Sequence, residues 1–94
     1  MTELDILLLF YDEMRARGET RNTVFISIDE EALAKLNTQA QPPISLEQAH
    51  KLTDICIANE WLERTTIDPG YNFLSLTEAG LQMVLNDAYT KKRS

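Results

Sequence analysis

The sequence contains a single cysteine, Cys56, among its 94 residues. One cysteine excludes an internal disulfide and argues against a cysteine-based metal site. Free cysteine is among the residue types most often buried, where it packs as a small apolar side chain. We therefore expect Cys56 to lie in the hydrophobic core.

Long apolar runs are also absent, since none approaches the roughly 20 residues that a membrane-spanning helix needs. The opening residues, MTELDILLLF, carry acidic side chains where a signal peptide would carry lysine or arginine. These two observations predict a cytoplasmic protein that does not enter the membrane.

The residues from which active sites are built are scarce. His50 is the only histidine, which leaves neither a histidine metal cluster nor a convincing catalytic triad. The three glycines stand apart at positions 18, 70 and 80, so no glycine-rich loop is available to cradle a phosphate. The acidic run at 29–31 is better explained as charge at a helix start. We therefore predict that the chain is not an enzyme and uses neither a metal nor a cofactor.

Positive charge is in short supply. Nine lysines and arginines face fifteen aspartates and glutamates, which gives a net charge of −6 and a pI near 4.6. This balance favours solubility and argues against loose, charge-driven binding to nucleic acid or to an anionic membrane. It leaves room for a local basic surface.

The first half of the chain alternates helical and extended patterns. Thr2 is placed to cap a first helix that ends near Gly18. The segment NTVFISI, residues 22–28, has the apolar alternation of a short strand. A second helix follows, and either Ser27 or Asp29 is suited to cap it.

The third helix has the strongest start signal. Ser45 is followed three residues later by Gln48, the spacing of a capping box, and two prolines directly before it bar a continuous helix. There are no repeats and no second domain. We predict one domain at residues 1–90 and a basic tail at 91–94.

A hairpin and a last helix complete the pattern. The segments 61–67 and 72–76 read as strands, and DPGY at 68–71 reads as the turn between them, because Pro69 and Gly70 suit its central positions. Thr77 is placed to cap the last helix.

The region ANEWLERTTIDPGYNFLSLTEAGLQMV, residues 58–84, resembles the small bacterial winged helix-turn-helix proteins of the MarR-like and PadR-like groups. The resemblance rests on an apolar pair after the third helix, here Trp61-Leu62, then a hairpin and a Leu-Thr-x-x-Gly joint at 76–80. It implies an α+β winged helix-turn-helix fold of about four helices with a small antiparallel sheet. It also implies a DNA-binding transcriptional regulator, and relatives often form homodimers through their terminal helices.

Two features depart from the family pattern. Glu60 stands where those families often have the glycine that ends the third helix, although the preceding Asn59 tolerates left-handed geometry. The hairpin loop carries no arginine or lysine, because none occurs between Arg64 and Lys91.

Five residues are the candidates for contact with double-stranded DNA: Ser45, Gln48, His50, Lys51 and Arg64. Glutamine suits adenine, and lysine suits guanine and phosphate. The region from Ser45 to Thr65 nevertheless carries two cations against four acids. A winged-helix protein-interaction module without DNA binding is therefore the alternative.

Apolar residues exceed what one buried helix stripe requires. Ile6, Leu9 and Phe10 add a second apolar face to the first helix. Phe25, Tyr71 and Phe73 are candidates for the sheet face that points away from the core. Either the domain covers these faces itself or a partner does. We predict a homodimer interface at Ile6, Leu9 and Phe10.

Overall fold

The computed structural model describes residues 2–39, 42–67 and 70–93, with side chains in the last helix described as far as Asp87. Within these ranges the elements follow in the order α1 (Glu3–Arg17), α2 (Glu30–Gln39), α3 (Leu46–Ala58), β1 (Leu62–Arg64), β2 (Leu74–Leu76) and α4 (Glu78–Arg93). The strands form one antiparallel pair. The predicted α+β class, with four helices and a small antiparallel sheet in a winged-helix-like arrangement, is confirmed.

Helix α1 lies at the centre of the hydrophobic core. It contacts all three other helices and β2. Ile6 and Phe10 are fully buried and Leu9 is only 4% exposed, all within a single chain. The interface predicted at these three residues is therefore wrong, because the second apolar face of α1 is covered by the domain's own elements. The homodimer itself stays a prediction.

The segment predicted as a strand at 22–28 pairs at one point only. It begins with a short 3₁₀ turn, Arg21–Thr23, and then forms a single antiparallel bridge in which Ile26 exchanges two backbone hydrogen bonds with Leu74, each 2.9 Å long. The apolar alternation is correct, since Val24 and Ile28 are buried while Phe25 is exposed. The segment thus packs like a strand without forming a ladder.

The sheet is short and covered on more than the core side. Leu62 pairs with Leu76, Glu63 with Ser75 and Arg64 with Leu74. Ser75 is buried, and its Oγ donates to the backbone carbonyl of Arg21 at 3.0 Å. The 3₁₀ turn therefore covers the outer side of β2.

Side-chain caps start the helices where the sequence predicts them. The backbone amide of Gln48 donates to Ser45 Oγ at 3.2 Å, and the backbone amide of Ser45 donates to the side-chain Oε1 of Gln48 at 2.9 Å. Asp29 rather than Ser27 caps α2, since its Oδ1 accepts from the Ala32 amide at 3.0 Å. Thr77 Oγ1 accepts from the Gly80 amide at 3.0 Å at the start of α4. These bonds satisfy amides that have no partner inside their helices.

Helices α1 and α3 end with the same backbone geometry. Gly18 closes α1 at φ +65° and Glu60 closes α3 at φ +60°. Beyond α3, the Trp61 amide donates to the Cys56 carbonyl at 2.8 Å and the Glu60 amide donates to the Ile57 carbonyl at 3.0 Å. These two bonds form a Schellman motif. Glu60 itself takes the left-handed position, whereas Asn59, which we expected to do so, has φ −88°.

The joint between the hairpin and α4 requires a glycine. A Cβ added to Gly80 would lie 2.1 Å from the Trp61 carbonyl oxygen. The same oxygen accepts from the Thr77 amide at 3.0 Å. The Leu-Thr-x-x-Gly motif therefore locks the start of α4 onto the backbone that leaves α3.

Two predictions fall at the limits of the described residues. The turn predicted around Pro69 lies partly outside them, because residues 68 and 69 are not described. Helix α4 continues through Arg93, so the backbone remains helical into the segment predicted as a basic tail. Among the described residues, no helix combines the length and the apolar character that a membrane crossing requires.

Candidate interaction surface on helix α3 and the hairpin

The outward side of α3 and the adjoining hairpin form the candidate surface. We use "wing" for the hairpin, described at residues 62–67 and 70–76, which is separated from α3 by Asn59, Glu60 and Trp61. Helix α3 buries Ala49, Thr53 and Cys56 against the core. Six other positions of α3 are exposed, and four of them form a stripe along the helix: Glu47, Lys51, Ile55 and Ala58.

Two of the predicted DNA contacts hold the start of α3 in place. Ser45 and Gln48 satisfy each other's backbone amides. A second contact, 3.4 Å long, joins Ser45 Oγ to Gln48 Oε1. The side-chain oxygen Oε1 of Gln48 is therefore committed to the cap. Rotating the side-chain amide of Gln48 to read a base would give up the capping bond.

His50 has a structural role instead of a free surface. Its Nε2 lies 2.8 Å from the Ile28 carbonyl oxygen. Its ring stacks on Tyr71 with the centroids 3.8 Å apart and the planes 9° from parallel. His50, one of the candidate DNA contacts, is therefore held by two contacts within the chain. Tyr71, which we had assigned to the outer face of the sheet, is turned toward α3.

Tyr71 extends this contact along the helix. Its hydroxyl donates to Asp54 Oδ2 at 3.0 Å, one helical turn beyond His50. Partial burial raises the pKa of the Tyr71 phenol, and the hydrogen bond to Asp54 and the negative charge of that carboxylate raise it further. The side chain from the wing thus lies over a full turn of α3. The sequence alone held no signal for this pairing, because the partners are 17 and 21 residues apart.

The two cations of the surface have weak or occupied donors. Lys51 is exposed, and its Nζ lies 3.9 Å from Glu47 Oε1. Arg64 Nε donates to the Gly70 carbonyl oxygen at 3.2 Å and so fastens the base of the wing loop. Lys51 is therefore only weakly paired, and the bond from Arg64 uses one of its five N–H groups.

Carboxylates outnumber cations on this surface. Glu47, Asp54, Glu60 and Glu63 are all exposed, against Lys51 and Arg64. A groove of about 520 Å³ lies where the end of α3, β1 and the start of α4 meet. Glu60, Glu63 and Glu78 are on its walls together with one cation, Arg64, and Ile57 and Leu62 contribute apolar lining. The Glu78 carboxylate has a lowered pKa, because Gln82 and then Arg21 donate hydrogen bonds to it.

The wing also presents apolar side chains to solvent. Phe73 is 57% exposed and Ile67 is completely exposed, while Phe25 on the neighbouring segment is 45% exposed. Phe73 has φ +53°, which costs an ordinary residue about 1–2 kcal/mol. Its amide donates to Ser27 Oγ at 3.1 Å and its carbonyl accepts from Thr65 Oγ1. Two side chains therefore hold the strained backbone in place.

Within the described part of the chain, no group of three histidine, cysteine, aspartate or glutamate side chains is arranged to hold a metal ion. The buried Cys56 thiol donates to the Glu3 carbonyl oxygen at 3.6 Å, and burial raises its pKa to about 12. A protonated, enclosed thiol is a poor nucleophile.

Comparisons of the chain with protein-family models, with curated proteins and with solved structures gave no significant match.

Proposed function

We propose that this chain is a protein-interaction module with a winged-helix-like fold, and that its partner presents a basic segment. The binding surface is the exposed stripe of α3 together with the acidic groove between α3, β1 and α4. The observation that carries the proposal is the charge of this surface, where four exposed carboxylates stand against two cations, Lys51 and Arg64. The carboxylates are those of Glu47, Glu60, Glu63 and Glu78. A DNA-reading helix needs the opposite balance, because phosphate contacts supply most of the affinity.

The state of the individual side chains supports the same assignment. Ser45, Gln48 and His50 are engaged within the chain, and Arg64 donates to its own wing. Moving Ser45, Gln48 or His50 from those contacts to reach DNA would cost intramolecular hydrogen bonds. With the residues that the structure describes, Arg64 bonds through only one of its five N–H groups. The groove supplies what a lysine or arginine side chain needs, namely carboxylates for the charged head and apolar lining for the methylene stem.

A titration with defined probes tests the proposal. The first probe is a fluorescein-labelled extended peptide with lysine at alternating positions, and the second is a random-sequence DNA duplex, both near 50 mM salt. We expect the peptide to bind and the duplex not to. The double substitution Glu60→Gln with Glu63→Gln should weaken peptide binding by roughly tenfold or more, which corresponds to about 1.4 kcal/mol.

The matched control is Glu19→Gln, which neutralises an exposed carboxylate just beyond the end of α1. An equal loss of affinity in Glu19→Gln would reduce the peptide binding to general charge attraction and would contradict a defined site. Binding of the duplex that Lys51→Ala abolishes would assign the surface to DNA instead.

A further inference from the structure

Three segments of the chain meet at Tyr71 and form a closed network. The ring lies against His50 of α3, and the hydroxyl donates to Asp54 of the same helix. The Tyr71 carbonyl accepts from the Ile28 amide at 2.8 Å, while the Ile28 carbonyl lies 2.8 Å from His50 Nε2. Each of the three segments therefore contacts the other two.

The base of the wing is fixed, because β1 contacts α3 and because Leu62, Leu74 and Leu76 are buried in the core. The network around Tyr71 therefore acts on the tip, residues 70–73, and not on the whole wing. Its two strands pair over only three residues each. Phe73, two residues beyond Tyr71, keeps a left-handed backbone that Ser27 and Thr65 hold in place. A short ladder and a strained residue favour release of this segment unless another contact restrains it.

We propose that Tyr71 is an intramolecular latch that holds the tip of the wing, residues 70–73, against α3 and competes with a partner for the His50–Asp54 face of that helix. His50 and Asp54 are one turn apart, so they form a stripe beside the exposed stripe that contains Lys51. Tyr71 occupies this second stripe in the closed state. Opening the latch joins the two stripes into one wider surface.

The competition with a partner rests on the function proposed above, whereas the closure of the wing tip does not. A partner that binds α3 along both stripes must first displace Tyr71. Its apparent affinity is therefore its affinity for the open molecule multiplied by the fraction of molecules that are open. Only closure can be measured without any partner. The two parts of the proposal can therefore fail separately.

Amide hydrogen exchange on Tyr71→Ala tests the closure. The reporters are the amides of Ile28 and Phe73, whose acceptors are the Tyr71 carbonyl and Ser27 Oγ. The reference is the amide of Phe10 in the buried helix α1. We expect exchange at both reporters to accelerate by about tenfold or more, with the reference unchanged, because only the tip of the wing opens.

Tyr71→Phe is the matched variant, because it keeps a ring to stack on His50 and removes only the hydroxyl bond to Asp54. It should accelerate the two reporters by a smaller factor, about threefold. Unchanged reporters in Tyr71→Ala would overturn the latch. An equal acceleration at Phe10 would also overturn it, since Tyr71 would then stabilise the whole domain rather than the tip of the wing.

The lysine-bearing peptide then tests the competition. Tyr71→Ala should bind it about threefold or more tightly than Tyr71→Phe does, because the open state is more populated. Equal affinity in the two variants would overturn the competition while leaving the closure standing. A peptide that binds none of the variants would refute the proposed function, and the exchange result would still decide the latch.

Discussion

Helices α1 and α3 pack against each other but differ in how much of their side-chain surface is exposed to solvent. Helix α1 is apolar on two faces and both are covered, with Ile6 and Phe10 fully buried. Helix α3 buries one strip and leaves the charged positions around Lys51 in solvent. The difference teaches that a second apolar face on a helix can mark the central element of a small core, whereas a mixed, charged face marks the surface that remains for a partner.

The largest expected effect is on the α1 side of this comparison. Phe10→Ala should lower the free energy of unfolding by about 3–5 kcal/mol, because it leaves a cavity at the centre of the core. Ile55→Ala on α3 is the control and should cost less than about 1 kcal/mol, since that side chain is 40% exposed. Denaturant unfolding measures both values.

A different outcome at Phe10 would restore the interface hypothesis for α1. If Phe10→Glu stayed folded with undiminished stability and sedimented as a smaller species than the unmodified chain, the second face of α1 would belong to a subunit contact. Burial within one chain predicts that this variant unfolds.

Cys56, on the buried side of α3, predicts that the free energy of unfolding decreases at alkaline pH. The pKa of Cys56 is raised from 9.0 to about 12, mainly by desolvation, so above pH 9 the unfolded chain loses a proton that the folded chain keeps. The contribution is fully present below pH 9 and decreases by about 1.4 kcal/mol for each pH unit until the folded thiol also ionises. Unfolding curves of the unmodified chain and of Cys56→Ala across this range should diverge accordingly. Parallel curves would mean that the thiol is not buried.

The C-terminal ends of α1 and α3 allow a paired test, because the same backbone geometry is adopted by a glycine at one and by a glutamate at the other. Gly18→Ala should cost about 1 kcal/mol, because a Cβ disfavours φ +65° even though nothing lies within 4 Å of it. Glu60→Gly should raise stability by about 1 kcal/mol at the equivalent position of α3. Thermal unfolding of the two variants should shift in opposite directions. A destabilising Glu60→Gly would show that the glutamate side chain supplies a compensating contact.

The smallest effect is expected on the exposed stripe. Lys51→Ala should change stability by less than about 0.5 kcal/mol, because its pairing with Glu47 is long and open to solvent. A loss above about 1 kcal/mol, measured by denaturant unfolding, would indicate that α3 packs against something in the isolated protein. Self-association would then have to be examined through this helix.

The features that depend on neighbouring residues were readable from the sequence. The caps at Ser45, Asp29 and Thr77 each involve a side chain and an amide three residues away, so local spacing was enough to predict them, with Ser27 as the alternative to Asp29. The hairpin followed from the same kind of pattern, whereas the glycine joint was identified through the family resemblance. The element order of the fold could therefore be predicted before any tertiary contact was known.

The features that depend on distant contacts were not readable. The alternation at 22–28 predicted a ladder, but only Ile26 meets β2. His50 carried no signal that Tyr71 would stack on it. Charge counting along the sequence did anticipate the acidic surface around Lys51. What it could not provide was the information that most of the candidate DNA contacts are already bonded within the chain.

The contact of Gly80 with the Trp61 carbonyl has a consequence for how this protein can be altered. It joins the two ends of the wing, so the intervening chain is a loop that closes on a fixed base. Doubling the length of such a loop costs only about 0.6 kcal/mol in closure entropy. New sequence inserted beside the fully exposed Ile67 should therefore leave the helices intact. The wing can therefore be lengthened or exchanged, by evolution or by grafting, while the core is inherited unchanged.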